Sequence, residues 1–328
     1  MKEAAILGYD SLWTPAAATG RSIFQTCREW WEATIAVVAE GLDVGTSVIP
    51  FPVWSVPSLA AEAATLSEIT AGKFKLGIGL GGYPAPAFRD QWGLPDVPPV
   101  AYTRDYVHTL RSLFRGETVD YTGTGVTIHG GQLGIKAPIV PVYVAAMGQQ
   151  MLRLAGACAD GVTPNWCSAE QIAWMRPQVA EAARRAGRDP GEVPLALYIR
   201  VCIDDDEEAA RRAFASNVLM YALARPGAPK DRGYRAHFAR MGFDDILSDL
   251  EARRDAGTPL ADLIDRVPKD LLSKVGYFGP ASGAADAMKR LSAGLDEAMV
   301  RLISVRPGDL AACVSAIRAC RPDAWAHA

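Results

Sequence analysis

The chain contains no apolar run of the roughly 18 residues that a bilayer-spanning helix needs. Its opening, MKEAAILGYD, lacks the basic start and apolar core of a secretory leader, so a cytoplasmic protein without a membrane partner is expected. There is no excess of either charge: 34 Lys+Arg stand against 37 Asp+Glu in 328 residues, a formal net charge of -3. A balance of this kind argues against nucleic acid as a partner. The four histidines, His108, His129, His237 and His327, are far apart and none belongs to an H-E-x-x-H. The six cysteines include no C-x-x-C and lie among apolar segments as reduced thiols would, so neither a zinc site nor a disulfide framework is expected. Cys167 has no histidine near it in sequence and reads as an inert thiol. G-x-S-x-G and G-x-x-x-x-G-K-[ST] are absent too, which removes the serine-hydrolase elbow and the P-loop.

What is present draws attention to KFKLGIGLGG, where Gly77, Gly79 and Gly82 spell G-x-G-x-x-G. A dinucleotide loop needs a strand, a glycine turn and then a helix to receive the pyrophosphate. Here Pro84, Pro86, Pro95, Pro98 and Pro99 follow, and read as forbidding a helix. Gly77 and Gly79 also alternate with Leu76, Ile78 and Leu80 inside the strand itself. Glycines so placed mean that something approaches the backbone closely, whether a ligand or a neighbouring layer.

Seven strand-like runs alternate with helical patterns: residues 10–14, 42–49, 74–80, 140–146, 160–166, 195–203 and 299–305. Helical spacing fits 28–40, 55–71, 102–114, 149–158, 169–186, 206–224, 282–293 and 309–320, with Ser168 and Gln171 forming a capping-box pair and Gly187 a stop. Continuous Val/Ile/Leu strands between helices imply a parallel α/β sheet buried on both faces. The count favours a (β/α)8 TIM barrel over an open sheet. The chain opens on what reads as the tail of a first helix, so the first strand of that barrel is expected to be missing. Residues 1–328 then form one domain, with a β-hairpin inserted at 117–135 and a helical excursion at 226–280.

LGYDSLW (7–13), LDVGTSVIP (42–50), AAEAATLSEITAGKFKLGIGLG (60–81), TRDYVHTLRSLFRGETVDYTG (103–123), VPVYVAAMGQQMLRLAGACADGVTPNW (140–166) and AHFARMGF (236–243) follow one another in a specific order. Through them the chain resembles the bacterial luciferase-like superfamily, in its branch of coenzyme F420-dependent oxidoreductases similar to methylenetetrahydromethanopterin reductase. The resemblance implies hydride transfer between a deazaflavin and a small organic substrate, in a homodimer. An FMN-dependent monooxygenase fed by a flavin reductase, and a non-catalytic flavin-binding relative, are the alternatives.

The resemblance also implies a cofactor site. Thr46, Ser47 and Val48 would carry a non-prolyl cis peptide against the central ring. Gly79, Leu80 and Gly81 would let the flat cofactor lie against the backbone, and Ala146, Met147, Gly148, Gln149 and Gln150 would hold its phosphate side. A helix beginning at Gly148 independently offers unpaired N–H groups to a phosphate. Trp13, Asn165 and Trp166 are substrate-pocket candidates, although a packed indole with a satisfied N–H is the commoner situation. Relatives carry an acid just beyond the second strand, where this chain has Ala16 and Ala17, so no catalytic residue is assigned.

Overall fold

The computed structural model describes residues 1–325, so His327 lies outside the described residues. The chain is organised as two compact units, Met1–Asn165 with Met175–Ala196, and Trp166–Trp174 with Leu197–Ala328.

The first unit runs α1 (Lys2–Ile6), β1 (Ser11–Thr14), α2 (Ile23–Ile35), β2 (Asp43–Thr46), β3 (Ile49–Pro50), α3 (Val56–Ile69) and β4 (Phe74–Gly79). It continues through α4 (Pro86–Trp92), α5 (Pro99–Phe114), β5 (Val119–Thr122), β6 (Thr127–Gly131), β7 (Val142–Val144), α6 (Gln149–Cys158) and β8 (Gly161–Val162) to α7 (Ala169–Arg185), whose first residues belong to the second unit. The sheet is parallel, in the order β1-β2-β4-β7-β8, with β3 also paired to β4. Phe74, Leu76 and Ile78 on one face of β4 are fully buried, and Gly77 and Gly79 on the other are buried too, as a strand covered on both faces requires. Local chemistry sets the helix starts. Ser22 and Ser55 accept N–H bonds from Gln25 and Ser58, which places α2 earlier than its apolar spacing had suggested.

Residues 119–131 form an antiparallel hairpin, held to α5 by one buried carboxylate. Asp105 accepts from the Tyr121 hydroxyl at 2.7 Å, from the Gly125 N–H at 3.0 Å and from Arg104 at 2.8 Å. Burial pushes its carboxyl up, but these donors outweigh it and hold the group below the usual carboxylate range.

α4 corrects the reading that the prolines after Gly82 forbid a helix. Pro86 occupies the first turn, where its missing N–H has no helical partner to lose, and Gly93 ends the helix with φ 60°. The fingerprint is not restored, because Gly77 and Gly79 remain inside β4.

The second unit contains β9 (Ala196–Ile203), α8 (Glu207–Ala222), α9 (Gly233–Phe238), α10 (Asp244–Asp255), α11 (Leu260–Asp265) and α12 (Lys269–Val275). β10 (Gly276–Gly279), α13 (Ala284–Leu291), β11 (Glu297–Leu302) and α14 (Leu310–Ala319) complete it. Its sheet has the order β10-β9-β11, with β10 parallel to β9. The stretch 226–280 therefore carries its helices between Gly233 and Val275 and ends in β10. Gly276 opens β10 where any side chain would overlap Phe214 and the Arg200 carbonyl, a constraint no helical pattern reveals. Phe214, Val218, Phe238, Leu247, Leu271 and Leu272 form the core. Beside it Glu251 binds Arg235 at 2.9 Å, Lys230 at 2.7 Å and the Ala224 N–H at 2.8 Å. No helix among the described residues is long and apolar enough to cross a membrane.

Candidate functional site

The first unit gathers most of the sequence-derived candidates at the C-terminal ends of its strands, and the reason lies in a change of register. Gly45 faces Lys75 and Ile49 faces Ile78, so three residues, Thr46 to Val48, oppose only Leu76 and Gly77. One residue too many on one side makes a bulge. The Ser47–Val48 peptide within it is cis. Where the ladder is interrupted, the Thr46 hydroxyl takes over: it accepts from the Gly77 N–H and donates to the Gly77 carbonyl, both at 2.9 Å.

This geometry explains the two strand glycines. A side chain at position 77 would overlap the Thr46 carbonyl, and one at 79 would lie 2.7 Å from Val48 and 3.0 Å from Ala145. The layer that approaches the backbone on the Cβ side of both glycines is the bulge itself. The surface offered at the strand ends is Val48, half-exposed, with the half-buried Leu80 and Ala145 and the exposed Gly81 near it in sequence or contact.

Ser47 Oγ lies 2.9 Å from Thr163 Oγ1, tying the bulge to the residue after β8. The Ala16 N–H donates to the Val48 carbonyl at 3.3 Å, which brings the Ala16 and Ala17 loop to the same strand ends. The side chains in this set are hydroxyls and apolar groups, without a carboxylate or imidazole for proton transfer. Thr163 escaped sequence reasoning; its signal was a threonine inside the strand-like run 160–166, directly after what the structure shows as β8.

Next to this shelf is a helix start without a cap. Gly148 is the N-cap of α6, no side chain bonds its first-turn N–H groups, and nothing lies within 4 Å of where its Cβ would be. Gly148, Gln149 and Gln150 are exposed, Met147 is half-buried and Ala146 is buried at the exit of β7. The helices that follow β1 and β3 are capped by serines, whereas α6 leaves its donors and its positive dipole end open to an anion.

Trp13 lies one layer deeper on the same face of the sheet. Its indole N–H bonds Ser11 at 2.9 Å, and its ring packs edge-on against Tyr143 at 5.4 Å and fills the space above Gly45. It is a packed floor, not a pocket wall. Asn165 closes the first unit and is partly buried.

Trp166 begins the second unit and is fully buried, so it too is no open pocket wall. It adopts φ 54°, and its carbonyl lies 3.0 Å from His237 Nε2. Cys167 Sγ is 3.6 Å from the same nitrogen, a pairing that sequence reading denied because 70 residues separate the two. Both side chains are buried, so the thiol remains inaccessible. Arg200, buried against Trp166, was also missed; a charge inside an otherwise apolar strand was its signal.

Comparison with known proteins bears on these two units. The family model described as luciferase-like monooxygenase matches residues 1–297. A 5,10-methylenetetrahydromethanopterin reductase of Methanolobus tindarius is 29% identical over 92% of this chain and 86% of its own length. The solved coenzyme F420-dependent tetrahydromethanopterin reductase from Methanopyrus kandleri matches with a TM-score of 0.76 at 22% identity, covering 98% of this chain and 92% of that one. The FMN-bound type II Baeyer–Villiger monooxygenase component from Pseudomonas putida matches with a TM-score of 0.64 at 17% identity, covering 97% and 89%. At these identities the structural likeness carries the fold: the α/β fold of the luciferase-like barrel enzymes.

Proposed function

Because this chain belongs to the luciferase-like monooxygenase family, we propose that it is a coenzyme F420-dependent oxidoreductase acting on a small organic substrate, in the cytoplasm and as a homodimer. The observation that carries the reading is the bare N-terminus of α6 beside the bulged shelf of β2. The first-turn N–H groups at Gly148, Gln149 and Gln150 fit the phosphate of such a cofactor, and the open space at Gly148 admits it without a clash. The residues present thus fit the group.

When bound, the deazaflavin supplies hydride chemistry, and the protein supplies position and a dry surface. Val48, braced from behind by Gly77 and Gly79, is a rigid apolar face for a flat ring. Ser47 and Thr163, bonded to each other, hold that face to the end of β8. Trp13 and Tyr143, both buried, pack edge-on below that face. The shelf lacks an acid or base, which suits transfer of a hydride better than steps that require a protein proton donor.

The test is a paired fluorescence titration of the protein with coenzyme F420 and with FMN, repeated on Gly148→Asp. Saturation by F420 at micromolar concentration, FMN at least about tenfold weaker, and loss of about tenfold in F420 affinity in the variant are expected. An aspartate is a good N-cap and leaves α6 intact while repelling a phosphate. Preference for FMN, or binding of neither ligand, would overturn the proposal.

A further inference from the structure

The second unit holds a buried cation that no carboxylate among the described residues neutralises. Arg200 lies on β9, the middle strand of the sheet, and is 7% exposed. Two other buried arginines of this unit show the ordinary arrangement. Arg211 is paired with Glu208 at 2.7 Å and Asp265 at 3.2 Å, and Arg235 with Glu251 at 2.9 Å and Asp244 at 2.8 Å. Around Arg200, no carboxylate among the described residues comes within ion-pair distance, and its Nη1 is buried without a hydrogen-bond partner.

Its neighbours are rings. The guanidinium carbon lies 3.7 Å from the centre of the Trp166 ring, 5.9 Å from that of Tyr221 and 6.0 Å from that of Tyr198. The second charged group facing this cluster is another cation, Arg301, 5.7 Å over the Tyr198 ring. Burial lowers the Arg200 pKa to about 10, and nearby Arg301 works in the same direction, so the side chain still carries its proton at neutral pH. Trp166 Nε1 is a second buried donor without a partner, on the ring that Arg200 covers.

Aromatic faces return only part of the hydration that a guanidinium loses on burial. If packing were its whole role, methionine or leucine would fill the position at lower cost. Arginine's planar fork, by contrast, matches carboxylate and phosphate oxygens two at a time. Tyr221 and Tyr234 are partly exposed, so the cluster reaches solvent along that side.

We propose that Arg200, stacked on Trp166, is the receptor for the anionic group, carboxylate or phosphate, of a small molecule bound by this protein. Trp166 fixes the plane of the guanidinium, and Arg301 adds to the positive field that draws the anion in. The inference is independent of the cofactor reading, because it concerns the protein without F420.

The experiment is a thermal-shift and tryptophan-fluorescence titration of the full cofactor-free chain with inorganic phosphate, with benzoate and with neutral benzamide, each against sodium chloride at equal ionic strength. Wild type, Arg200→Met, Arg200→Lys and Gly148→Asp are compared. A saturable response to phosphate or to benzoate, none to benzamide, at least about tenfold weakening in Arg200→Met, partial retention in Arg200→Lys and full retention in Gly148→Asp are expected. The arm that responds tells a phosphorylated from a carboxylated ligand. Without anion, Arg200→Met should melt no lower than wild type, since it removes a buried unpaired charge. Absence of any response beyond chloride, a response that survives Arg200→Met, or a lower anion-free melting point in that variant would overturn the proposal. A phosphate response lost only in Gly148→Asp would belong to α6 and count against it equally.

Discussion

Replacing Thr46 by valine keeps the shape of the side chain and removes one hydroxyl, which the structure uses twice. That hydroxyl satisfies both the N–H and the carbonyl of Gly77, where the bulge has taken the β2 backbone out of reach. Thr46 is fully buried, so water is poorly placed to replace it. Each orphaned buried backbone group costs about 1–3 kcal/mol, which puts Thr46→Val at about 2–6 kcal/mol of lost stability. Thr46→Ser keeps the hydroxyl and gives up one buried methyl, worth about 0.5–1.5 kcal/mol. Apolar burial alone would rank the variants the other way, with valine the better residue. Urea unfolding followed by tryptophan fluorescence and far-ultraviolet circular dichroism measures both. A valine variant as stable as the serine variant, or more stable, would refute the idea that a side chain replaces the ladder at this point. Since the hydroxyl braces the shelf from behind, F420 affinity should fall in Thr46→Val and be largely kept in Thr46→Ser.

Two buried carboxylates should make stability depend on acid. In Glu251, burial pushes the carboxyl up, but Lys230, the Ala224 N–H and Arg235 outweigh it and hold it below the usual range; Asp105 is lowered in the same net sense. A folded pKa below the unfolded one means that the stabilisation is whole above the unfolded value, about pH 4, and drains away as pH falls through the folded value. Unfolding midpoints measured between pH 7 and pH 3 should fall for wild type and fall less steeply for Asp105→Asn and Glu251→Gln; parallel curves would contradict the assignment. Glu251→Gln should itself cost about 3 kcal/mol, because Arg235 is left buried with a single carboxylate. Burial raises Cys27 and Cys320 to about 12 and Cys202 to about 11, so these three buried thiols should ignore a disulfide reagent at pH 8 until denaturant is added. Mass mapping that finds any of them labelled at the rate of a free thiol would show that the native packing opens.

Legibility followed the range of the interaction. Strands such as 74–79 and 196–203 were readable because a parallel strand buried on both faces is a continuous apolar run, a property of the segment alone. α4 was misread for an equally local reason: proline was weighed as a breaker without asking which turn it occupies. β10 was lost because four residues with two glycines carry no period. The site was legible where a family pattern or a helix start marked it, as at Gly148, and opaque where two distant residues share one job. Thr46 and Gly77 are 31 positions apart, Ser47 and Thr163 are 116 apart, and Cys167 and His237 are 70 apart. Arg200 was in plain view as a charge in an apolar strand, but only the structure shows that no carboxylate among the described residues comes to meet it.

The glycines make the same point in a form that can be measured. Gly77 and Gly148 both belong to stretches that suggested a cofactor, yet they are glycine for opposite reasons. At 77 a methyl group would overlap the Thr46 carbonyl, a backbone atom that cannot move without dragging the bulge out of register with β4. At 148 the methyl would meet nothing, and the backbone has φ -99°, which any residue adopts. Gly77→Ala should therefore be destabilised by about 3 kcal/mol or more, an overpacking cost at its upper end. Gly148→Ala should unfold within about 0.5 kcal/mol of wild type, the usual range for an exposed site. If the position at 148 is kept small for the sake of an approaching phosphate, the alanine variant should still lose affinity for coenzyme F420 while keeping its stability. Loss of stability at 148, or tolerance at 77, would mean that the bulge and the helix start have exchanged the roles given to them here.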